Sequence, residues 1–161
     1  MSIAIVNRQR TRKVNLRLLK QIAKELLAEL ETENSEFGIN LVGAREMAAL
    51  NSKFLQHEGP TDVITFDYSE KQKAENKKEK CLCGEIFVCV DEALLQAKAF
   101  GTNWQSEVVR YIIHGILHLL GYEDARADLR RKMKHEEHRR LRRLSRKFSL
   151  AKIAGASKIT A

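Results

Sequence analysis

The 161-residue chain carries 29 Lys and Arg against 21 Asp and Glu, a formal net charge of +8, and 43% of its residues are hydrophobic. This length fits one domain, and the composition is an ordinary balance for a soluble globular protein. No apolar run reaches the roughly 18 residues that a membrane-spanning helix needs. The N-terminal MSIAIVNRQR puts a short apolar stretch before basic residues, the reverse of a signal peptide, so we expect a cytoplasmic protein.

The apolar pattern predicts alternating strands and helices in the first part of the chain. A strand over residues 2–7 precedes a helix that Asn15 can cap, because leucines and isoleucines then recur every three or four residues. A second strand near Gly38, a helix over residues 44–54 and a third strand over residues 62–68 follow.

A highly charged run at residues 69–80 predicts a mobile loop before a fourth strand at residues 84–90 and a helix from about residue 91 to 101. The next segment, NWQSEVVRYIIHGILHLLG, is apolar nearly all round and predicts a buried helix. A strongly basic helix at about residues 126–149 completes the pattern. Three cysteines, Cys81, Cys83 and Cys89, lie close together, and they suit small strand hydrophobes better than a metal site or disulfides.

This order of elements predicts a single α+β domain over residues 1–150. Its small, mixed four-stranded sheet packs with helices, and the histidine-bearing helix is buried at its centre. Residues 151–161 are expected to form a flexible tail.

The segment HGILHLLGYED has the spacing of a metal site. His114 and His118 are four residues apart, so their imidazoles project from one helix face. Gly121 allows a sharp turn that can return Asp124 toward the same ion, which gives three ligands and leaves a fourth zinc position open. Asp124 could instead cap the following helix, and Glu123 is a rival ligand one residue out of register.

Gly115 argues against one class of zinc enzyme. HExxH proteases place a glutamate general base directly after the first histidine, and this chain has Gly115 there. A glycine cannot accept a proton, so peptide hydrolysis by that route is disfavoured.

Most of the excess positive charge lies at the C-terminal end. From Ala125 onward, 13 Lys and Arg stand against 3 Asp and Glu. This concentration indicates either binding to a polyanion such as nucleic acid or a solvated helix face. His135 and His138 could form a second metal site, although a solvated basic helix explains them as well.

The segment from His114 to Tyr122 resembles the signature of the YbeY family of bacterial metal-dependent endoribonucleases, H-G-x-L-H-L-x-G-Y-D-H. Two other family motifs are similar in PTDVITF, residues 60–66, with Asn51 and Phe54 before it, and in the strand that begins at Gly84. The motifs occur in the family's order. The resemblance therefore spans most of the chain.

The resemblance implies an α+β fold with one zinc ion held by three residues, which here fall on His114, His118 and Asp124. In the family the third ligand is a histidine. A carboxylate can still bind zinc, but its charge should make the ion a weaker Lewis acid. The resemblance also implies cleavage of single-stranded RNA, with roles in the maturation of small-subunit ribosomal RNA and in ribosome quality control, and hence RNA and the small ribosomal subunit as partners.

Two departures from the family pattern concern catalysis. The family arginine after the aromatic of N-x-x-[YF]-R is replaced by Leu55, and Lys53, Arg45 or a cation of the last helix could substitute. The family's last helix tends to be acidic, whereas this one is predicted to bind RNA through Arg139, Arg140, Arg142 and Arg143. Two other hypotheses stay open, a catalytically impaired RNA- or ribosome-binding protein and a zinc hydrolase of a non-nucleic substrate.

Overall fold

The computed structural model describes residues 2–32, 34–69 and 82–155. Its one sheet contains four strands in the spatial order β1 (Ser2–Asn7), β2 (Glu36–Val42), β4 (Cys83–Cys89) and β3 (Val63–Asp67). β2 pairs in parallel with both β1 and β4, and β3 runs antiparallel to β4. The predicted mixed four-stranded sheet is confirmed.

Five α-helices accompany the sheet: α1 (Leu16–Glu29), α2 (Ala44–Leu55), α3 (Val90–Phe100), α4 (Trp104–Leu119) and α5 (Ala127–Lys147). As predicted, Asn15 caps α1, because its side-chain oxygen accepts a hydrogen bond from the Leu18 amide at 3.1 Å. Within the described ranges, no helix has both the length and the apolar composition needed to cross a bilayer.

Alternate residues of the sheet meet different helices, since neighbouring side chains of a strand point to opposite faces. The methyl groups of Val63 and Thr65 lie against α4 at Gly115. Ile64, between them, belongs to a separate apolar cluster with Met47 of α2. Helices α4 and α2 therefore cover opposite faces of the sheet.

α4 runs through the main core, as its apolar composition predicts. Seven of its apolar side chains are at most 1% exposed, namely Val108, Val109, Tyr111, Ile112, Ile113, Ile116 and Leu117. Gly115 allows α4 to approach the sheet closely, because a Cβ atom there would lie 3.0 Å from a methyl group of Ile86. A longer side chain at Gly115 would have to displace methyl groups of the sheet, which adds a steric reason for the absence of the protease glutamate.

The C-terminal boundary differs from the predicted one. Residues Leu150–Ile153 form a 3₁₀ helix, Ile153 is fully buried, and its carbonyl accepts a hydrogen bond from the Asn15 amide at 2.8 Å. Gly155 in turn donates to the carbonyl of Lys13 at 3.0 Å. The described chain is therefore packed as far as Gly155. Ile153 anchors this segment, whose sequence shows no periodic pattern of apolar residues.

Several sequence predictions fall on residues outside the described ranges. These are the charged loop after Ser69, the thiol of Cys81 and the last residues, 156–161. Of the other two cysteines, Cys89 is buried and Cys83 is partly buried, and both are free thiols. Cys89 therefore packs as a small hydrophobic residue.

Candidate metal centre

His114 and His118 face each other on one side of α4. Their Nε2 atoms are 3.1 Å apart, and their rings meet edge to face with centroids 4.6 Å apart. The four-residue spacing produces this arrangement without bending the helix. Two imidazole nitrogens are thereby directed to the same point at the helix surface.

The end of α4 fixes the orientation of His118. Gly121, with a φ of +101°, donates to the carbonyl of His118 at 3.0 Å, while Tyr122 donates to that of Leu117 at 3.0 Å. These two bonds form a Schellman motif, which requires a left-handed residue at the glycine. The turn brings the carbonyl of Tyr122 to 3.1 Å from Nδ1 of His118. Since a carbonyl only accepts, Nδ1 carries the proton and Nε2 is left with its lone pair.

The same turn delivers Asp124 to the histidines. Its Oδ2 atom lies 3.7 Å from Nε2 of His118, and the ligand atoms of His114, His118 and Asp124 all lie within 4.8 Å of one another. In the described part of the chain, no other His, Cys, Asp and Glu side chains form such a group of three. Glu123, the rival ligand, lines a neighbouring cavity instead.

The capping interpretation of Asp124 is wrong. α5 begins later than the capping hypothesis requires, and its N-cap is Arg126, which makes no side-chain capping bond. The carboxylate of Asp124 is about half exposed, with 51% of the side chain accessible. Asp124 is therefore free to offer an oxygen atom on the open side of the cluster.

Glu137 of α5 orients His114, and the sequence analysis missed it. Its Oε2 atom accepts a hydrogen bond from Nδ1 of His114 at 2.8 Å, and only 8% of its side chain is exposed. Arg110 lies on the other carboxylate oxygen, with Nη1 3.5 Å from Oε1. A carboxylate behind a ligating imidazole fixes its tautomer and strengthens it as a ligand.

The sequence does contain a signal for Glu137. It stands four residues after Met133 and seven before Leu144, the two buried apolar residues of α5. A carboxylate on the buried stripe of a helix needs a partner, because an unpaired buried charge is costly. Identifying that partner requires knowledge of how α4 and α5 pack on each other, which the sequence alone does not give.

The environment of His114 favours its protonated form. Burial disfavours the imidazolium, but the hydrogen bond and the negative charge of Glu137 outweigh this effect, so the pKa of His114 lies above 6.5. The same negative charge would stabilise a cation bound at Nε2. A metal ion and a proton therefore compete for this nitrogen.

His114 opens onto a cavity of about 180 Å³ between α4 and α5, next to His118. Asp62, Tyr111 and Arg130 are among its lining residues, with His114 and Asp124. The hydroxyl of Tyr111 is buried and has no hydrogen-bond partner among the described residues. The charged side chains among its lining residues make the cavity suited to a polar ligand.

The donor set fits a metal ion. His114 and His118 each have Nδ1 committed to a hydrogen-bond acceptor and Nε2 directed at the other, and Asp124 adds a carboxylate oxygen. Two imidazoles and one carboxylate suit zinc and other divalent transition metals, and the cavity leaves room for a further ligand. These three residues could therefore hold one ion.

Most of the arginines predicted to bind RNA face away from this cavity. Arg140 is 13% exposed, with Nε 2.7 Å from Glu136 and Nη1 3.6 Å from Glu29 of α1. Arg143 also reaches Glu29, at 3.7 Å, and Arg139 reaches Glu136 at 3.4 Å. Arg142 is exposed on the same half of α5. The charges of three of the four are thus already paired within the protein.

Leu55, at the position of the family arginine, lies outside the cavity. It ends α2, on the opposite face of the sheet from α4, and is 47% exposed. The two nearby candidates also belong to α2: Lys53 lies over the ring of Phe54 at 5.2 Å, and Arg45 is exposed. No residue of α2 lines the cavity. Helix α2 therefore supplies no cation to the histidines.

Comparison with known proteins agrees with the resemblance found in the sequence. The family model described as endoribonuclease YbeY matches residues 4–145. Two relatives with that name come from Chlorobium phaeovibrioides, 36% identical over 77% of this chain and 78% of its own, and from Dehalococcoides mccartyi, 37% identical over 68% and 75%. A solution structure of a Thermotoga maritima protein shares the fold, with a TM-score of 0.63, 24% identity and 99% of each chain covered.

Proposed function

This chain belongs to the endoribonuclease YbeY family, and on that premise we propose that it is a metal-dependent endoribonuclease acting on single-stranded RNA. The observation that carries the proposal is the convergence of His114, His118 and Asp124, of which His114 and Asp124 line an open cavity. Clusters of this kind at a cavity are typical of metal-assisted hydrolysis.

We propose zinc as the ion, one per chain. When bound, zinc supplies Lewis acidity to the cavity. His114 and His118 would hold the ion through Nε2, and Asp124 would hold it from the exposed side. The carboxylate adds a negative charge where the family has a neutral histidine. We therefore expect weaker polarisation of the substrate than in relatives with three histidines.

The residues around the ligands prepare the centre before substrate arrives. Glu137 and the carbonyl of Tyr122 keep the protons of the two imidazoles on Nδ1, at 2.8 and 3.1 Å. Both Nε2 lone pairs are then available in the neutral histidines. Because these groups are fixed by α5 and by the Schellman motif, little rearrangement is needed to bind an ion.

The biological role that we propose follows from the family. The substrate would be ribosomal RNA, chiefly that of the small subunit, and the protein would act in its maturation and in ribosome quality control. The small ribosomal subunit would then be a partner, and the protein would act in the cytoplasm. Support comes from the three motifs in the family's order and from the family model over residues 4–145.

A cleavage assay tests the activity. The metal-loaded chain should cut an end-labelled single-stranded RNA internally and leave an RNA duplex of the same sequence intact. His118→Ala should abolish cutting, whereas the matched His135→Ala, an exposed histidine of α5, should not change it. Equal cutting by both variants would contradict the proposal, because the activity would then not depend on this centre.

The position of Leu55 favours a second candidate, an RNA-binding protein with impaired catalysis. In place of the family arginine stands Leu55, and no cation of α2 lines the cavity beside His114. The same assay separates the two candidates. RNA binding without metal-dependent cutting would support the second candidate and contradict the first.

A further inference from the structure

The cations of α5 fall into two groups with different surroundings. In the second half of the helix, Arg140, Arg143 and Lys147 all pair with Glu29 of α1. In the first half, Arg130 and Lys134 are exposed and line the metal cavity together with Asp124 and His114. Arg110 of α4 also lines the cavity, but it is paired with Glu107 and Glu137. Positive charge without such a partner among the described residues therefore comes from the start of α5 and not from its arginine-rich end.

Arg130 is anchored beside the ligands. Its Nε donates to the backbone carbonyl of Asp124 at 3.3 Å. Within the described part of the chain, its terminal nitrogens are in no ion pair. A guanidinium held at one nitrogen still presents its outer N–H groups in a fixed plane, which suits phosphate oxygens.

Lys134 follows one helical turn later. The four-residue spacing puts it on the same face of α5 as Arg130. Among the described residues no carboxylate forms an ion pair with its ammonium group, although Glu137 lies one turn further along. Glu137 is buried and already bonded to His114 and Arg110. Two unpaired cations thus stand in line along the wall of the cavity.

We propose that Arg130 and Lys134 bind consecutive phosphate groups of a single-stranded RNA and hold the strand across the metal centre. This inference rests on the proposed function and names the residues by which that site takes its substrate. The recognition is through the backbone, so it carries no base preference.

A binding experiment tests the proposal on the metal-loaded, full-length chain. The probe is a fluorescein-labelled, 2′-O-methylated single-stranded oligoribonucleotide, and its anisotropy is measured from low to physiological salt. Arg130→Ala and Lys134→Ala should each weaken binding several-fold. Each should also reduce the slope of log K against log salt by about 0.7, the value expected for one lost contact with a single strand. Lys134→Arg keeps the positive charge, so its slope of log K against log salt should equal that of the unmodified chain.

Controls separate a local effect from loss of net charge. Arg146→Ala removes the same charge from an exposed position in the last turn of α5 and should change neither affinity nor slope. Bound metal per chain should stay the same in every variant, because neither Arg130 nor Lys134 is a ligand.

The outcomes also separate this inference from the proposed function. If the unmodified chain bound no RNA, the proposed function and the inference would both be contradicted. If it bound and cut RNA but Arg130→Ala and Lys134→Ala kept its affinity and slope, only the inference would be overturned. An equal loss in Arg146→Ala would overturn it too, since the effect would then come from net charge.

Discussion

Glu137→Gln tests whether the buried carboxylate of α5 prepares the metal centre. The substitution keeps the size of the side chain and removes its charge. Glutamine can also present its NH₂ group to Nδ1 of His114, which would move the imidazole proton to Nε2, the atom that must bind the ion. Metal affinity should therefore fall while the fold is retained.

The size of the effect follows from the contact. The hydrogen bond from His114 is 2.8 Å long, and the Glu137 side chain is 8% exposed, so solvent screens the charge little. Loss of such a partner typically costs about 10–100-fold in metal affinity, or roughly 1.4–2.7 kcal/mol. We expect a loss in this range for zinc.

The assay is competition with a fluorescent zinc chelator at pH 7.5. Glu136→Gln is the matched control, because Glu136 is the neighbouring carboxylate on α5 but pairs with Arg140 and not with a histidine. Its zinc affinity should equal that of the unmodified chain. The reasoning would be refuted if Glu137→Gln bound zinc within twofold of the unmodified chain while remaining folded by circular dichroism.

Three further predictions concern Asp124, Gly115 and Glu136. Asp124→Ala should lower zinc affinity in equilibrium dialysis and Glu123→Ala should not; the reverse result would reassign the third ligand. Gly115→Ala should lower the stability in urea by about 1–3 kcal/mol, since its Cβ would lie 3.0 Å from a sheet methyl group, and an unchanged midpoint would contradict that packing. Burial raises the pKa of Glu136, but the hydrogen bond and charge of Arg140 outweigh it and hold the pKa below 4.5. The stabilisation is therefore present at neutral pH and is lost as the pH falls through that lowered pKa, so Glu136→Gln should be less stable by up to about 1 kcal/mol at pH 7 and equal to the unmodified chain near pH 2.

The sequence predicted the parts of the centre that depend on local geometry. The spacing of His114 and His118 places both on one face of any helix, and Gly121 is the residue that a left-handed helix end requires. Asp124 follows within the same short turn. The choice between Asp124 and Glu123 was open in the sequence, because it depends on how the chain leaves that turn.

The parts that the sequence did not predict depend on how helices cross. Glu137 reaches His114 only because α5 packs on α4, and Arg140 turns to Glu29 only because α5 also packs on α1. The sequence pattern places Glu137 on the apolar stripe of α5 without showing its partner, and it places Arg140 in a run of arginines without showing its acceptor. Ile153 had no periodic neighbours and gave no signal, yet it is fully buried. The environments of Glu137, Arg140 and Ile153 all depend on contacts with elements that are distant in the sequence.

The central claim is that His114, His118 and Asp124 hold one ion on which RNA cleavage depends. The most direct test is to strip the chain of metal with a chelator and titrate zinc back while measuring cleavage of a labelled single-stranded RNA. We expect no cleavage by the stripped chain and full recovery at one zinc per chain. Cleavage that persists without metal, or that does not return when the centre is filled, would contradict it.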